Sequence, residues 1–226
     1  MEVLETARKK KWKSLSEFDS KLLLSEYGIP VTREKLVKTG KDAVAAAEDL
    51  GYPVVIKATG PLLTHKTELE AIRLNLADAK SVRKTLTELK AAMKGQKLQG
   101  YLVQEMVKGQ RELVMGLIRD PQFGPCVMFG LGGIYAEILK DVSFRVAPLT
   151  ERDALEMMDE IKGKKILEAF RGMEAADRET LAKSLVALGQ IGLDHEMVKE
   201  IDINPLILTR EGRPVAVDAL VVLDGK

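Results

Sequence analysis

Residues 202–206 read Asp-Ile-Asn-Pro-Leu, and this stretch, together with Asp218 near the C-terminus, is the most informative part of the sequence. Both lie on short segments of β-strand character that a polar turn at 209–213 joins. An amide oxygen from Asn204 and a carboxylate from Asp218 are therefore expected on adjacent strands. Hard oxygen ligands of this kind bind Mg²⁺ when phosphate and water complete its shell. Because such pairs more often cap turns, the metal site depends on features elsewhere in the chain.

The composition excludes several classes of protein. The 226 residues carry 35 Lys and Arg against 34 Asp and Glu, and aromatic residues make up only 4%. This balance, without a basic face interleaved with aromatics, argues against nucleic-acid binding. The N-terminus lacks the apolar core of a signal peptide, and no apolar stretch approaches the ~20 residues of a membrane span. We therefore expect a cytoplasmic protein with no nucleic-acid or membrane partner.

Helix caps and strand periodicity predict an α+β chain with two lobes. In the first half, Thr39 and Asp78 are expected to begin helices, with an apolar strand at Val54 to Ala58 between them. Near residue 100 the alternation of helices and strands changes to hairpins. The chain is therefore divided into three parts: an N-terminal arm or helix at 1–13, a first lobe at 14–100 and a second lobe at 101–226.

A predicted hairpin opens the second lobe, with two strand-like segments joined by a short turn at 108–110. Glu105 and Glu112 then lie on either side of the turn, which suggests a nucleotide-binding hinge. Backbone groups near Val107 would face adenine, Glu105 would accept from its amino group, and Glu112 would accept from the ribose hydroxyls. A pair of exposed carboxylates without a ligand is the alternative.

Three features suggest contacts to nucleotide phosphates. Lys57 ends an apolar strand, where a buried ammonium needs an anionic partner. The sequence Gly-Leu-Gly-Gly at 130–133 permits close backbone approach to a ligand, and Gly132 and Gly133 are the candidate contacts. Arg145, on the following strand, can supply a guanidinium. Taken singly, each feature also fits a surface lysine, an ordinary turn or a strand arginine.

His65 is the more informative of the two histidines. It lies in a loop-like segment at 60–68, shortly after Lys57. A neutral imidazole accepts phosphoryl groups near pH 7, which makes His65 a candidate nucleophile. An exposed loop histidine is the simpler interpretation of the local sequence. His195 lies between two acidic residues with no second His or Cys beside it, so a zinc site is not expected.

These motifs together resemble the β subunit of ADP-forming acyl-CoA (acetyl-CoA) synthetases, a stand-alone ATP-grasp domain related to the β subunit of succinyl-CoA synthetase. The resemblance covers nearly the whole chain from Ser14 onward. Its most specific parts are the run from Arg119 to Arg145, with Gly-Leu-Gly-Gly at 130–133, and the pairing of Asn-Pro-Leu at 204–206 with Asp218.

The resemblance implies an ATP-grasp fold, with two lobes of antiparallel or mixed sheets and a nucleotide cleft between them. It implies that Lys57 contacts the phosphates of ATP or ADP, that Glu112 binds the ribose, and that Asn204 and Asp218 hold Mg²⁺. His65 would begin the family's mobile phosphohistidine loop, usually written His-Lys-Ser-Asp. The loop here continues Lys-Thr-Glu and lacks the glycines that often follow.

The implied function is the nucleotide half of a reversible acyl-CoA synthetase. In the family, a CoA-binding α subunit makes acyl phosphate and carries its own phosphohistidine, and the phosphoryl group then reaches ADP. This chain lacks the Gly-x-Gly-x-x-Gly motif with which a Rossmann-type CoA-binding domain begins, so activity would require the CoA-binding α subunit. Lys57 and Arg145 would help neutralise the transferring phosphoryl group.

Two other functions fit the same residues. One is a different ATP-grasp ligase, which joins a carboxylate to a nucleophile through an acyl phosphate and does not need His65. The other is a regulatory subunit that binds ATP without turnover. This second alternative is disfavoured, because a purely sensing domain does not need a full set of phosphate and metal ligands. Such a set is present here as Lys57, Arg145, Asn204 and Asp218.

Overall fold

The computed structural model describes residues 2–61, 71–133 and 140–225, in which helices and antiparallel strands alternate. The helices are α1 (Glu2–Lys10), α2 (Glu17–Glu26), α3 (Gly40–Leu50), α4 (Ala79–Ala92), α5 (Glu151–Glu160) and α6 (Arg178–Asp194). The strands are β1 (Glu34–Val37), β2 (Val54–Thr59), β3 (Ile72–Leu76), β4 (Gly100–Glu105), β5 (Arg111–Asp120), β6 (Gly124–Leu131), β7 (Val142–Val146), β8 (Val198–Leu208), β9 (Pro214–Ala216) and β10 (Ala219–Leu223). Within the described ranges, every helix is too short or too polar to cross the hydrocarbon layer of a membrane.

The chain folds as two compact units. The small unit contains Leu15–Phe18 and Thr32–Met106, and the large unit contains Met1–Ser14, Asp19–Val31 and Val107–Lys226. The division therefore falls after Met106 and not at residue 100, because β4 pairs with β1 and β2 and so belongs to the first sheet.

The small unit is a four-stranded antiparallel sheet in the order β1-β4-β2-β3. Helices α3 and α4 pack on one face, where Ile56 and its alternate neighbours join Leu86 and Leu89 in a buried core. Both helices begin where the sequence predicts, because the side chain of Thr39 accepts from the backbone N–H of Asp42 and Asp78 caps α4. Since strand side chains alternate, Lys57 lies on the face of β2 opposite this core.

The large unit is an antiparallel sheet in the order β10-β8-β5-β6-β7, with β9 also paired to β8. Helix α6 covers one face, where a Cβ added at Gly192 would lie 2.6 Å from Leu117 and one added at Gly189 would lie 3.5 Å from Val127. Helix α5 covers β7 on the same side, where the hydroxyl of Ser143 donates to the carbonyl of Met157 at 2.9 Å. The other face of the sheet carries the polar side chains of the candidate site.

The predicted hairpin across residues 108–110 is wrong. Strand β4 pairs on both edges with β1 and β2, while β5 pairs with β6 and β8 in the other sheet. Both edges of β4 are therefore occupied, and 106–110 connects two sheets. The segment of β-strand character that follows the turn at 209–213 is two strands, β9 and β10, with Val217 and Asp218 between them.

Candidate functional site

The structure brings the two predicted metal ligands together on one hairpin of the large unit. Ala219 pairs with Ile203, and the backbone N–H of Val217 donates to the carbonyl of Pro205 at 3.0 Å. In this antiparallel register Asp218 lies directly opposite Asn204. Cross-strand neighbours on one face have Cβ atoms ~5 Å apart, which is close enough for two oxygens to share one small cation.

Asp202 lies on the same face, two residues before Asn204. It is paired with Gly116, so no side chain from β5 covers it directly. Burial raises the pKa of Asp202 to about 6, and the nearby charges of Glu200 and Asp218 contribute to the same upward shift. A role for Asp202 was not predicted from the sequence, although its period-two spacing from Asn204 is the signal that places both on one face.

The oxygens of this hairpin suit Mg²⁺ bound together with a nucleotide. Among the described residues, no group of three or more His, Cys, Asp or Glu side chains is arranged to hold a metal ion. Asn204 and Asp218 instead provide a partial set of hard oxygens, and Mg²⁺ usually takes one or two carboxylates while phosphate and water fill its shell. The donor chemistry therefore fits a nucleotide-bound magnesium ion.

A buried lysine supports the segment that carries Asp218. Lys21 of α2 is only 1% exposed, and its ammonium donates to the carbonyl of Val217 at 3.0 Å. The hydroxyl of Ser20 accepts from the backbone N–H of Val221 at 3.1 Å, which attaches the same helix to β10. The position of Asp218 is thus fixed by α2 as well as by β8. Neither contact was anticipated from the sequence, because a helix lysine is ordinarily exposed.

Glu112 and the predicted glycine turn also lie together. The backbone N–H of Gly132 donates to the carbonyl of Glu112 at 2.9 Å. Gly133 has a φ of +61°, and a Cβ added there would lie 2.7 Å from Oε2 of Glu112. The glycines therefore leave room for the Glu112 carboxylate at the end of β6, as a ribose or phosphate contact requires.

Glu105 and Val107, the two candidate contacts to adenine, differ in their surroundings. Both carboxylate oxygens of Glu105, the last residue of β4, accept from Arg33, from its backbone N–H and from its Nε at 2.8 Å each. Arg33 also donates to the carbonyl of Leu50 at 3.1 Å. Glu105 is thus held by Arg33 within the small unit. Val107 follows in the connection to β5 and is half-buried.

Lys57 is buried on β2 and paired with a glutamate. Its ammonium donates to Oε1 of Glu17 at 2.7 Å, and the two side chains are 4% and 0% exposed. Strand pairing with Leu102 on one side and Ile72 on the other fixes the backbone of Lys57. The anionic partner that the sequence required for this lysine is therefore at least in part a residue of the protein itself.

Arg145 does not lie on the same face of the sheet as the candidate metal ligands Asn204 and Asp218. It pairs with Val127 across β6 and β7, so it shares the helix-covered face of the sheet. Its guanidinium donates to Glu160 of α5 at 2.9 Å, and this hydrogen bond raises the pKa of Arg145. Alternation places it on the opposite face from Asn204. His65 lies outside the described residues, so its predicted role remains a sequence-based prediction.

Comparisons with known proteins agree with the fold. The chain matches the ATP-grasp domain family over residues 6–223. The β subunit of ADP-forming acetate–CoA ligase I from Pyrococcus furiosus is 42% identical over 226 residues, which cover 98% of this chain and 97% of that protein.

Two solved structures of dinucleotide-forming acetyl-coenzyme A synthetase 1 from Candidatus Korarchaeum cryptofilum match closely. One, in complex with coenzyme A, Ca-AMPCP and HgCl⁺, has a TM-score of 0.93 at 42% identity and covers 98% of each chain. The other contains coenzyme A and Mg-AMPPCP, with its phosphohistidine segment pointing towards the nucleotide binding site. It has a TM-score of 0.86 at 41% identity and covers 98% of each chain. The ATP-grasp fold predicted from the sequence is confirmed, and the chain belongs to the family of ATP-grasp β subunits of ADP-forming acetate–CoA ligases.

Proposed function

We propose that this chain is the nucleotide-binding β subunit of an ADP-forming acyl-CoA synthetase of the acetate–CoA ligase type. The observation that carries the proposal is the cross-strand pair of Asn204 and Asp218, which offers hard oxygens to Mg²⁺ in a chain of this family. When bound, Mg²⁺ neutralises charge on the phosphates.

In the proposed reaction the partner converts acyl-CoA and phosphate to acyl phosphate and free CoA. A nitrogen of the partner's histidine then attacks phosphorus, so that the phosphorus–oxygen bond to the acyl group breaks and the carboxylate leaves. A nitrogen of His65 next attacks this phosphorus, and the N–P bond of the partner's phosphohistidine breaks. Finally an oxygen of the terminal phosphate of ADP attacks the same phosphorus, the N–P bond to His65 breaks and ATP forms. This chain supplies the last step, with His65 carrying the phosphoryl group from the partner's phosphohistidine.

The other residues bind and orient the nucleotide. Lys57 donates to the phosphates, and Glu112 accepts from the ribose hydroxyls beside the backbone of Gly132 and Gly133. The backbone at Val107 faces adenine. Such contacts speed transfer mainly by positioning the reactants and by stabilising charge on the transferring group.

Two of the sequence-based assignments are modified in this proposal. Glu105 already binds Arg33, so we assign it to shaping the adenine site rather than to a free acceptor role. Arg145 pairs with Glu160 on the helix-covered face, so we assign it no phosphate contact.

The proposal that this chain binds the nucleotide while its partner binds CoA is tested by calorimetric titration of the isolated chain. We expect Mg-ADP to bind and CoA to show no heat of binding, because the CoA site would belong to a CoA-binding α subunit. Binding of CoA to the isolated chain, or absence of Mg-ADP binding by the folded chain, would contradict the proposal.

A further inference from the structure

We propose that Glu17 is a positioning residue for Lys57, which it holds in place for the phosphates of the nucleotide. The inference rests on the proposed function, because it takes Lys57 to be a phosphate ligand. It goes beyond that function in adding a residue that never contacts the nucleotide. The observation behind it is the buried contact between Nζ of Lys57 and Oε1 of Glu17 at 2.7 Å.

A pair of this kind is unusual because burying charges is unfavourable. Removing both side chains from water costs free energy that their attraction repays only with good geometry. Here the contact is short and the two side chains are 4% and 0% exposed. A lysine that must be buried and charged before an anionic ligand arrives needs a permanent counter-charge, and Glu17 provides one.

The geometry also suits positioning, because both residues are held by regular elements. Glu17 is the first residue of α2, where the helix dipole stabilises a negative charge. Lys57 lies on a strand that is paired on both edges. A flexible four-carbon side chain is thus restrained at its base by the sheet and at its tip by the helix. Such restraint reduces the entropy lost when a phosphate binds.

The experiment compares Mg-ADP with adenosine, which lacks the phosphates that Lys57 would contact. Calorimetry on the full chain would be run for the parent, Glu17→Gln, Lys57→Gln and the double variant. We expect each single change to weaken Mg-ADP binding at least about tenfold and to alter adenosine binding by less than about twofold. The double variant should bind Mg-ADP no more weakly than Lys57→Gln, because Glu17 acts through Lys57.

Two further variants complete the test. Glu26→Gln makes the same change at the exposed end of α2 and should bind like the parent. Glu17→Asp keeps the charge but shortens the side chain by one methylene, so it should weaken Mg-ADP binding less than Glu17→Gln does. If Glu17→Gln does not fold, Glu17→Asp decides the question, and parent-like binding of Mg-ADP by that variant overturns the inference.

The outcomes separate this inference from the proposed function. If Lys57→Gln binds Mg-ADP as tightly as the parent, the phosphate role of Lys57 is wrong and the inference fails with it. If Lys57→Gln loses affinity while Glu17→Gln keeps it, only the positioning role is wrong. If Glu17→Gln weakens adenosine as much as Mg-ADP, Glu17 has a general structural role and the inference is overturned.

Discussion

Asp218 lies directly opposite Asn204 in the antiparallel pairing that joins β8 to β10. A single hairpin of the large unit therefore brings the candidate metal ligands together. Lys21 holds the adjoining carbonyl of Val217, which adds a tertiary support to this local arrangement. The two candidate metal ligands thus come from residues that lie close together in the sequence.

The first prediction concerns this carboxylate. Asp218→Ala should lose metal-dependent nucleotide binding, with Mg-ADP affinity falling at least about tenfold, because one oxygen ligand and its charge are removed. The fold should survive, since Asp218 is partly exposed. Calorimetry with and without Mg²⁺ measures the effect. Asp224→Ala, which removes the partly exposed partner of Lys199, is the control and should bind like the parent. Parent-like binding by Asp218→Ala would reject the assignment.

Local signals account for the parts of the fold that were predicted correctly. Thr39 and Asp78 begin helices because each caps a helix through its own side chain, a property of a few adjacent residues. Strand pairing is not local in this sense. The segments before and after 108–110 both have strand periodicity, but periodicity does not say which edges meet, and β4 is a central strand of the other sheet.

The same distinction applies to the site. Asn204 and Asp218 could be paired from the sequence because a short turn fixes their register. The partners Glu17 of Lys57 and Arg33 of Glu105 could not, since they are separated by 40 and 72 residues. The packing of Arg145 on the helix-covered face was not predicted for a simpler reason. A lone arginine in a strand gives no indication of which face is covered by a helix.

The second prediction tests the contact between Gly133 and Glu112. Gly133→Ala places a methyl group 2.7 Å from Oε2 of Glu112 and should displace that carboxylate. We expect Mg-ADP to bind about three- to tenfold more weakly, and the preference for ADP over 2′-deoxy-ADP to shrink, because a ribose acceptor has moved. Competition binding with the two nucleotides measures both effects.

Gly124→Ala is the matched control for this change. Gly124 also has a positive φ, +77°, but an added Cβ there meets nothing within 4 Å. It should lose a similar ~1 kcal/mol of stability from backbone strain while keeping parent affinity. Equal nucleotide affinities in the two variants would show that Gly133 is needed only for its backbone conformation and not to leave room for Glu112.

The third prediction concerns pH and the free energy of unfolding without metal. Asp202 has a pKa of about 6 in the folded chain against 3.8 for an unperturbed aspartate. The folded state therefore binds more protons between these values. The stability contributed by Asp202 is fully present below about pH 4 and is lost as the pH rises through about 6.

In EDTA, the parent should thus lose roughly 1–2 kcal/mol more stability than Asp202→Asn over this interval, after allowance for partial exposure. Urea unfolding of both proteins at several pH values measures the difference. Stability curves that stay parallel from about pH 4 to 8 would show that Asp202 is not perturbed.

The fourth prediction concerns the phosphoryl carrier. In the complex with the CoA-binding subunit, His65→Ala should abolish ATP formation while leaving ADP binding and acyl-phosphate formation intact, since only the relay is removed. Acid-labile label from labelled ATP should appear on the peptide that contains His65. His195→Ala is the control and should keep the parent turnover. His195 is the only other histidine, and its Nε2 is hydrogen-bonded to the hydroxyl of Tyr27 at 2.9 Å. Near-normal turnover of His65→Ala, with label on the partner alone, would make His65 a bystander.

This chain is proposed to be the nucleotide half of an acyl-CoA synthetase, and reconstitution with a CoA-binding subunit tests that proposal. ATP formation from acetyl-CoA, ADP and phosphate would be measured for this chain alone, for its CoA-binding subunit alone and for the two mixed. We expect ATP from the mixture and none above background from either protein alone. Sustained ATP formation by the isolated chain, or none by the mixture when both proteins are folded and bind their ligands, would contradict it.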